Sequence, residues 1–463
     1  MNRYEDLATS LEQNRLELVL DRCVVTRCSE AQPEGYRGAG KLQQDPQGHL
    51  YFTMDIAGSI DALIDRLSGD EGLQSGKLLP PSAQFTISGT DANGGEWKSS
   101  PTYMDSVVNV VAQTATITLH PKTWALTITA DPATQQYRWK VCSDLKPLSR
   151  GSVGTTKKQD SFEDDTWSVE TDQATKLHSF TYTAISPDDL ERRASLLIKG
   201  WSILCGAPLQ PHISSHCQGG VEVIQIQKVY RALDHVKLYP FIDSRGGHVH
   251  DHLTFIRSWL ATPGQYQQQH STWQAYAGAA TGKESFDSPL DDIFQHYYRI
   301  QFAFAMDMEN AVQVVTAAVE GLINGYAKSF MDGDKTIVEP VRAAGVVIDG
   351  IKDALDERVL KIVEGALSRA SAPTSAAIFE RLEAQGVISS GLKKGWKAAR
   401  HRPAHGTLLD HRNDENTQQY IDGFFYNYEI FKRLVFCLIG YSGHHTNFEK
   451  PGWPSEAWPP SKP

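Results

Sequence analysis

No stretch of this 463-residue chain reaches ~18 consecutive apolar residues, the minimum for a bilayer-crossing helix. The longest candidate, Leu434-Val-Phe-Cys-Leu-Ile439, is far shorter. The start, Met1-Asn-Arg-Tyr-Glu-Asp, has no apolar core of the kind a secretory signal needs. A cytoplasmic protein with no membrane partner is therefore expected. Cysteine is also scarce. The six residues Cys23, Cys28, Cys142, Cys205, Cys217 and Cys437 show no Cys-x-x-Cys spacing. They read as reduced thiols rather than as a disulfide framework or a zinc site. Positive charge is in deficit, with 45 Lys and Arg against 55 Asp and Glu, a formal net charge of −10. That balance excludes a protein coated in nucleic acid but leaves room for a local RNA site. No Walker A loop and no Gly-x-Gly-x-x-Gly follows a strand pattern, so neither ATP nor a dinucleotide cofactor is expected. No repeat of solenoid period is visible either.

The remaining composition, 40% hydrophobic and 22% charged, is that of an ordinary globular protein. The length suits two or three domains. Short alternating or β-branched runs dominate the first part: 15–20, 49–54, 83–88, 115–119, 125–129, 137–141 and 179–183. Turn chemistry at Asp45-Pro-Gln-Gly48, Asp91-Ala-Asn-Gly-Gly95 and Asp131-Pro-Ala-Thr134 separates them. The pattern predicts a sandwich or barrel-like sheet over 1–185, interrupted by a helix near 56–67. The polar run 151–171 reads as a loop. A helix capped by Ser186 should run to about Leu204, followed by strands over 221–226 and 236–241. Residues 186–285 then form a connecting α/β subdomain or the end of the N-terminal domain.

From Ser288 onward the periodicity is helical. Ser288 is a candidate N-cap, and 302–330, 341–370 and 376–385 carry apolar residues at three- and four-residue spacing. A closing helix over 417–440 presents Phe424, Phe425, Tyr428, Phe431 and Leu434, which read as core or dimer contacts. The tail 451–463, rich in proline, is expected to be extended and loosely held. The fold class is α+β: a β-rich N-terminal domain, then an all-α bundle over 286–463.

Within that helical part lies Lys393-Lys-Gly-Trp-Lys-Ala-Ala-Arg-His-Arg-Pro-Ala-His-Gly406. Lys393, Lys394, Lys397, Arg400, Arg402 and the later Arg412 make a basic island on an acidic chain, a site for an anion such as phosphate. RNA carries its own nucleophile, the ribose 2′-hydroxyl. Cleaving it takes a proton-transfer group titrating near neutrality, which is histidine's range, and a fixed cation on the phosphate. His405 and Arg400 are those two groups. In a regular helix positions five apart diverge by ~140°, whereas His401 and His405 would share a face. Pro403 disfavours helix at Arg402 and should kink or start one. Either a break there turns Arg400 toward His405, or a second protomer completes the site.

The run Ala-Ala-Arg400-His-Arg-Pro-Ala-His405-Gly resembles the Arg–polar–x–x–x–His signature of HEPN domains, usually Leu-Arg-Asn-x-x-Ala-His-Gly. His401 stands where asparagine is usual. The order of a β-rich half followed by a helical half looks like the ApeA-like HEPN proteins of bacteria. The resemblance implies a metal-independent endoribonuclease and a helical homodimer with its site at the interface. It further implies abortive-infection defence against phage, triggered by a phage-derived protein. It assigns catalysis to Arg400, His405 and His401, and RNA binding, with tRNA as a candidate, to Arg402, Lys397, Lys394 and Lys393. Glu320 falls where related domains often carry a supporting acid. Such an activity is toxic to its own cell, so the N-terminal part is expected to sense a trigger and restrain it.

Two rival readings stand beside this one. A non-catalytic HEPN-like domain would use the same residues to bind a nucleotide or partner. A metal-dependent hydrolase, or a carbohydrate-binding sheet, would rely on the N-terminal half and on His248, His250 and His252. His248-Val-His-Asp-His252 is one residue short of the His-x-His-x-Asp-His signature, so that ligand geometry is not inherited. A solvated loop or helix start is the expectation there. Arg245 and His250 repeat the Arg-x4-His spacing in a Gly-Gly turn, where it reads as coincidence.

Overall fold

The structure, a computed structural model, describes residues 3–28, 36–57, 84–109, 114–142, 155–162, 165–172, 177–183, 190–228, 237–242, 250–263, 289–326, 335–371, 374–404 and 414–459. It is α+β, with antiparallel sheet in the N-terminal half and helices in the C-terminal half. Two compact units divide the chain: residues 1–198 with 209–234, and residues 199–208 with 235–463. The connecting stretch 186–285 is thus shared between both.

The first unit starts with a helix, α1 (Arg3–Glu12). Fourteen strands follow in one antiparallel sheet: β1 (Glu17–Arg27), β2 (Tyr36–Gln44), β3 (Leu50–Ala57), β4 (Phe85–Asp91), β5 (Glu96–Ser99), β6 (Met104–Asn109), β7 (Thr114–Leu119), β8 (Thr123–Thr129), β9 (Gln136–Cys142), β10 (Thr155–Phe162), β11 (Asp165–Asp172), β12 (Leu177–Thr183), β13 (Ile213–Gln218) and β14 (Val221–Gln227). The sheet order runs from β10 to β6, and those two strands are its edges among the described residues. Tyr4, Leu7, Ala8 and Leu11, at helical spacing, put one stripe of α1 into the core. They join Leu20, Leu42, Phe52, Trp97, Trp124, Leu126 and Ile224 there. Close packing leaves no room at Gly40, where a Cβ would lie 2.2 Å from the Phe52 ring.

The expected loop over 151–171 is instead the β10–β11 hairpin. Its pairing register runs from Thr155 opposite Asp172 to Phe162 opposite Asp165. β11 alternates buried and exposed side chains, with Trp167 and Val169 inward. The edge strand β10 is polar, and a polar edge strand resembles a loop in composition. The helix expected near 56–67 falls largely outside the described residues, as do Ser186 and Ser288. The expected strand at 236–241 is corrected: described residues 237–242 form neither strand nor helix, although Leu238 and Phe241 are buried.

α2 (Leu190–Cys205) passes from the first unit into the second. The second unit continues with α3 (250–263), α4 (Pro289–Met306), α5 (Met308–Gly325), α6 (Lys335–Ile351), α7 (Glu357–Ser371), α8 (Ser375–Ala384), α9 (Ser390–Ala404) and α10 (Asp414–Ile439). The single long helix expected over 302–330 is broken at Asp307, whose carboxylate accepts from the Asn310 N–H and caps α5. Neither α6 nor α7 buries a side chain over residues 343–367, and Val346, Val347, Ile351, Val359 and Ile362 are exposed.

Over the described residues 451–459 the tail is held rather than loose. β15 (Gly443–Thr446) pairs with β16 (Ser455–Trp458), and Trp453 and Trp458 pack on Phe425 and Phe436. A buried ionic group ties this hairpin to α10. Both Lys432 Nζ and Arg433 Nε donate to Glu429 at 2.6 Å, and the Phe448 N–H donates to the same carboxylate at 2.9 Å. Burial would raise the Glu429 carboxyl, but Lys432, Arg433 and His445 reverse this and hold it at about 2. Burial, with the Lys432 cation beside it, lowers the His445 imidazole to about 3.

Both shifts destabilise the fold in acid. An unfolded chain takes up a proton on histidine below its ordinary 6.5, whereas folded His445 does so only near 3. Stability is therefore lost as pH falls from 6.5 toward 3, by about 1.4 kcal/mol per unit in that window. The Glu429 contribution is lost further down, as pH falls from 4.5 toward 2. Melting at pH 7, 6 and 5 should show a falling transition in the wild type and a flatter profile in His445→Gln. Equal slopes in both would rule out His445 as the source.

A basic helix face as candidate functional site

Leu392, Trp396 and Ala399 recur at four and three residues and are buried, which fixes the inner face of α9. At ~100° per residue, Lys393, Lys394, Lys397, Arg400 and His401 then share an arc of about 120° on the other side. Lys394, Lys397, Arg400 and His401 are exposed, and Lys393 is half-buried. The basic island of the sequence is one continuous face. Gly395 holds α9 close to α10, since a Cβ there would lie 2.5 Å from the Tyr426 ring.

Two cations on this face are already held by carboxylates. Lys393 pairs with Glu383 of α8. Arg400 Nε lies 2.8 Å from Glu320 Oε1, bringing the candidate supporting acid of α5 to the arginine. The Arg400 side chain is 51% exposed, so the guanidinium stays open to solvent and to a ligand, whereas the Glu320 Oε1 that faces it is buried. The guanidinium carbon sits 5.4 Å from the centre of the Trp396 ring, which stacks on Phe379 at 4.2 Å. A cation over an indole face is attracted by the ring quadrupole. Arg400 is thus held by a carboxylate and supported by an aromatic ring. Lys394 and Lys397 form no ion pair with a carboxylate among the described residues.

α5 is packed tightly where it carries Glu320. At the next residue, Gly321, a Cβ would lie 2.7 Å from His296 Nε2. Burial, aided by Arg299 and opposed by Asp292, lowers His296 below its ordinary value, so it is mainly neutral at pH 7.

α9 runs without a break through Pro403 to Ala404, correcting the expected break at that proline. Arg402, Pro403 and Ala404 are all helical. A proline near a helix C-terminus costs one hydrogen bond in a turn that is about to end. The Arg402 side chain and the whole of His405 lie outside the described residues. The structure therefore assembles Arg400, His401, Glu320, Lys393, Lys394 and Lys397.

His252 is buried in α3, correcting the expectation of a solvated histidine, and His250 is exposed at the start of that helix. His248 lies outside the described residues. Among the described residues no three His, Cys, Asp or Glu side chains form a group able to hold a metal ion. No helix there is long and apolar enough to cross a membrane.

Two members of the site escaped the sequence. Trp396 as a platform for Arg400 was detectable, because the two are four apart on a helix. Glu383 was not, since its pairing with Lys393 depends on how α8 packs against α9. No protein-family model, curated protein or solved structure matches the chain.

Proposed function

We propose that this chain is an ApeA-like HEPN endoribonuclease acting in anti-phage defence. The observation that carries the reading is the α9 face, where Lys394, Lys397 and a supported Arg400 lead directly into the run ending at His405. Arg400 stabilises the charge that builds on the phosphate, and His405 transfers a proton as the 2′-hydroxyl attacks. His401 assists or orients, Glu320 positions Arg400, and Arg402 with the three lysines holds the RNA backbone, with structured RNA such as tRNA as substrate. No metal or cofactor takes part. The exposed apolar side chains of α6 and α7 are compatible with a homodimer, because uncovered apolar helix faces favour association. The β-rich N-terminal unit senses a phage-derived protein and restrains the nuclease in the cytoplasm.

The test is incubation of the purified full-length protein with total cellular RNA in EDTA. Discrete fragments ending in cyclic phosphate are the expected result. Intact RNA there, and again with residues 199–463, which hold the whole of the second compact unit, would favour the second reading, a non-catalytic nucleotide-binding domain. The Arg400–Glu320 pair is compatible with that reading, because it also suits reversible anion exchange.

A further inference from the structure

We propose that Glu320 sets which anions the α9 face accepts. It turns away an isolated phosphate and admits a polynucleotide backbone, whose linked phosphates reach Lys394, Lys397 and Arg400 together. The inference rests on the reading of this face as an RNA site.

The Glu320 carboxylate lies 2.8 Å from Arg400 Nε as an ion pair, beside the guanidinium that a phosphodiester oxygen would approach. A phosphate arriving at Arg400 must therefore displace Glu320 or share the guanidinium with it, and close like charges oppose sharing. The α5 backbone that carries Glu320 is pressed against His296 at the next residue. Arg400 is in turn held over the buried Trp396. The contest is thus built into two packed helices rather than left to mobile side chains.

Lys394 and Lys397 supply what a lone phosphate lacks. They are exposed, and no carboxylate pairs with them among the described residues. Lys394, Lys397 and Arg400 recur every third residue, which spaces them about 4.5 Å apart along the axis and about 9 Å from first to last. A single phosphate meets only part of that row, and an exposed lysine holds it weakly. Linked phosphates engage the lysines first, and the third contact then forms at high effective concentration. Under that condition a phosphate can outcompete Glu320 for Arg400. Glu320 is a specificity-determining residue, distinct from the residues that transfer protons.

The test uses the full-length protein in EDTA and a fluorescent, 2′-O-methylated oligoribonucleotide of about 12 nucleotides, which fills a single-strand site but cannot be cleaved. Glu320→Gln should bind it about five- to tenfold more tightly than wild type, since one opposing charge is gone. Inorganic phosphate should compete with the probe at lower concentration for Glu320→Gln than for wild type. Arg400→Ala in the Glu320→Gln background should abolish the gain. Glu320→Ala should tighten binding in the same direction, and the melting transition of each variant checks its fold.

Equal or weaker binding by both folded Glu320 variants would overturn the proposal. So would a gain that survives Arg400→Ala, or a failure of every variant to bind the probe. Cleavage is not read in this assay. A protein that shows the Glu320 effect but never cuts RNA retains this inference and loses the nuclease reading. One that cuts RNA with no Glu320 effect on binding does the reverse.

Discussion

RNA cleavage should fall by about 10²–10⁴-fold in His405→Ala, the usual cost of removing a general acid or base. Arg400→Ala should lose about 10²–10³-fold, the cost of one preorganised donor to a developing oxyanion. The His405→Ala loss should appear mainly in kcat, and the Arg400→Ala loss in both kcat and KM, because Arg400 also holds a phosphate of the bound RNA. Lys394→Ala and Lys397→Ala should instead raise KM and leave kcat nearly unchanged, because those lysines hold backbone phosphates in ground state and transition state alike. Arg400→Lys keeps the charge but loses the planar fork that both Glu320 and a phosphate can engage, so it should recover only part of the loss. Single-turnover cleavage of a defined RNA in EDTA separates these effects. If Arg400→Ala and His405→Ala cut as fast as wild type, the proposed chemistry is wrong, whatever the protein binds.

A second large effect is expected far from that face. Glu429 is fully buried, as is Lys432, and Arg433 is nearly so. Glu429→Ala would leave both cations without their central carboxylate, a change that costs about 3–5 kcal/mol in buried ion pairs. It would also strip the Phe448 N–H of its acceptor and loosen the β15–β16 hairpin. At about 2–4 °C per kcal/mol for a unit of this size, the melting transition should drop by about 6–20 °C. Glu429→Gln keeps oxygen and shape without the charge and should lie between alanine and wild type. Trp458 of the tail lies against Arg433 and His445 of this network, so a tryptophan-fluorescence melt should report the change. A Glu429→Ala protein that melts with wild type would mean that the network adds nothing to stability.

Much of the layout could be read from the sequence because it is written in local periods. Alternation marked the strands at 125–129, 137–141 and 221–226, and three- and four-residue spacing marked α2, α5 and α10. Those patterns depend on one buried face, which the backbone geometry repeats at fixed intervals. The basic island near Lys393 was equally plain, since consecutive charges need no partner to be noticed.

The partners were not visible. A polar edge strand can be indistinguishable from a loop by composition, so β10 became a strand only through the register with β11. The tail read as loose because its pairing with β15 and its contacts with Phe425 and Phe436 come from elsewhere in the chain. Glu320 and Arg400 lie 80 positions apart in the numbering, and only the packing of α5 against α9 brings them to 2.8 Å. Pro403 gave a strong local rule that lost, because the neighbouring turns of α9 were already held by Leu392, Trp396 and Ala399. The sequence by itself determined the α+β division, the helical and strand periods and the charge of the candidate site. Tertiary structure alone decided which carboxylate faces which cation, because such pairing depends on distances between elements that no local period encodes.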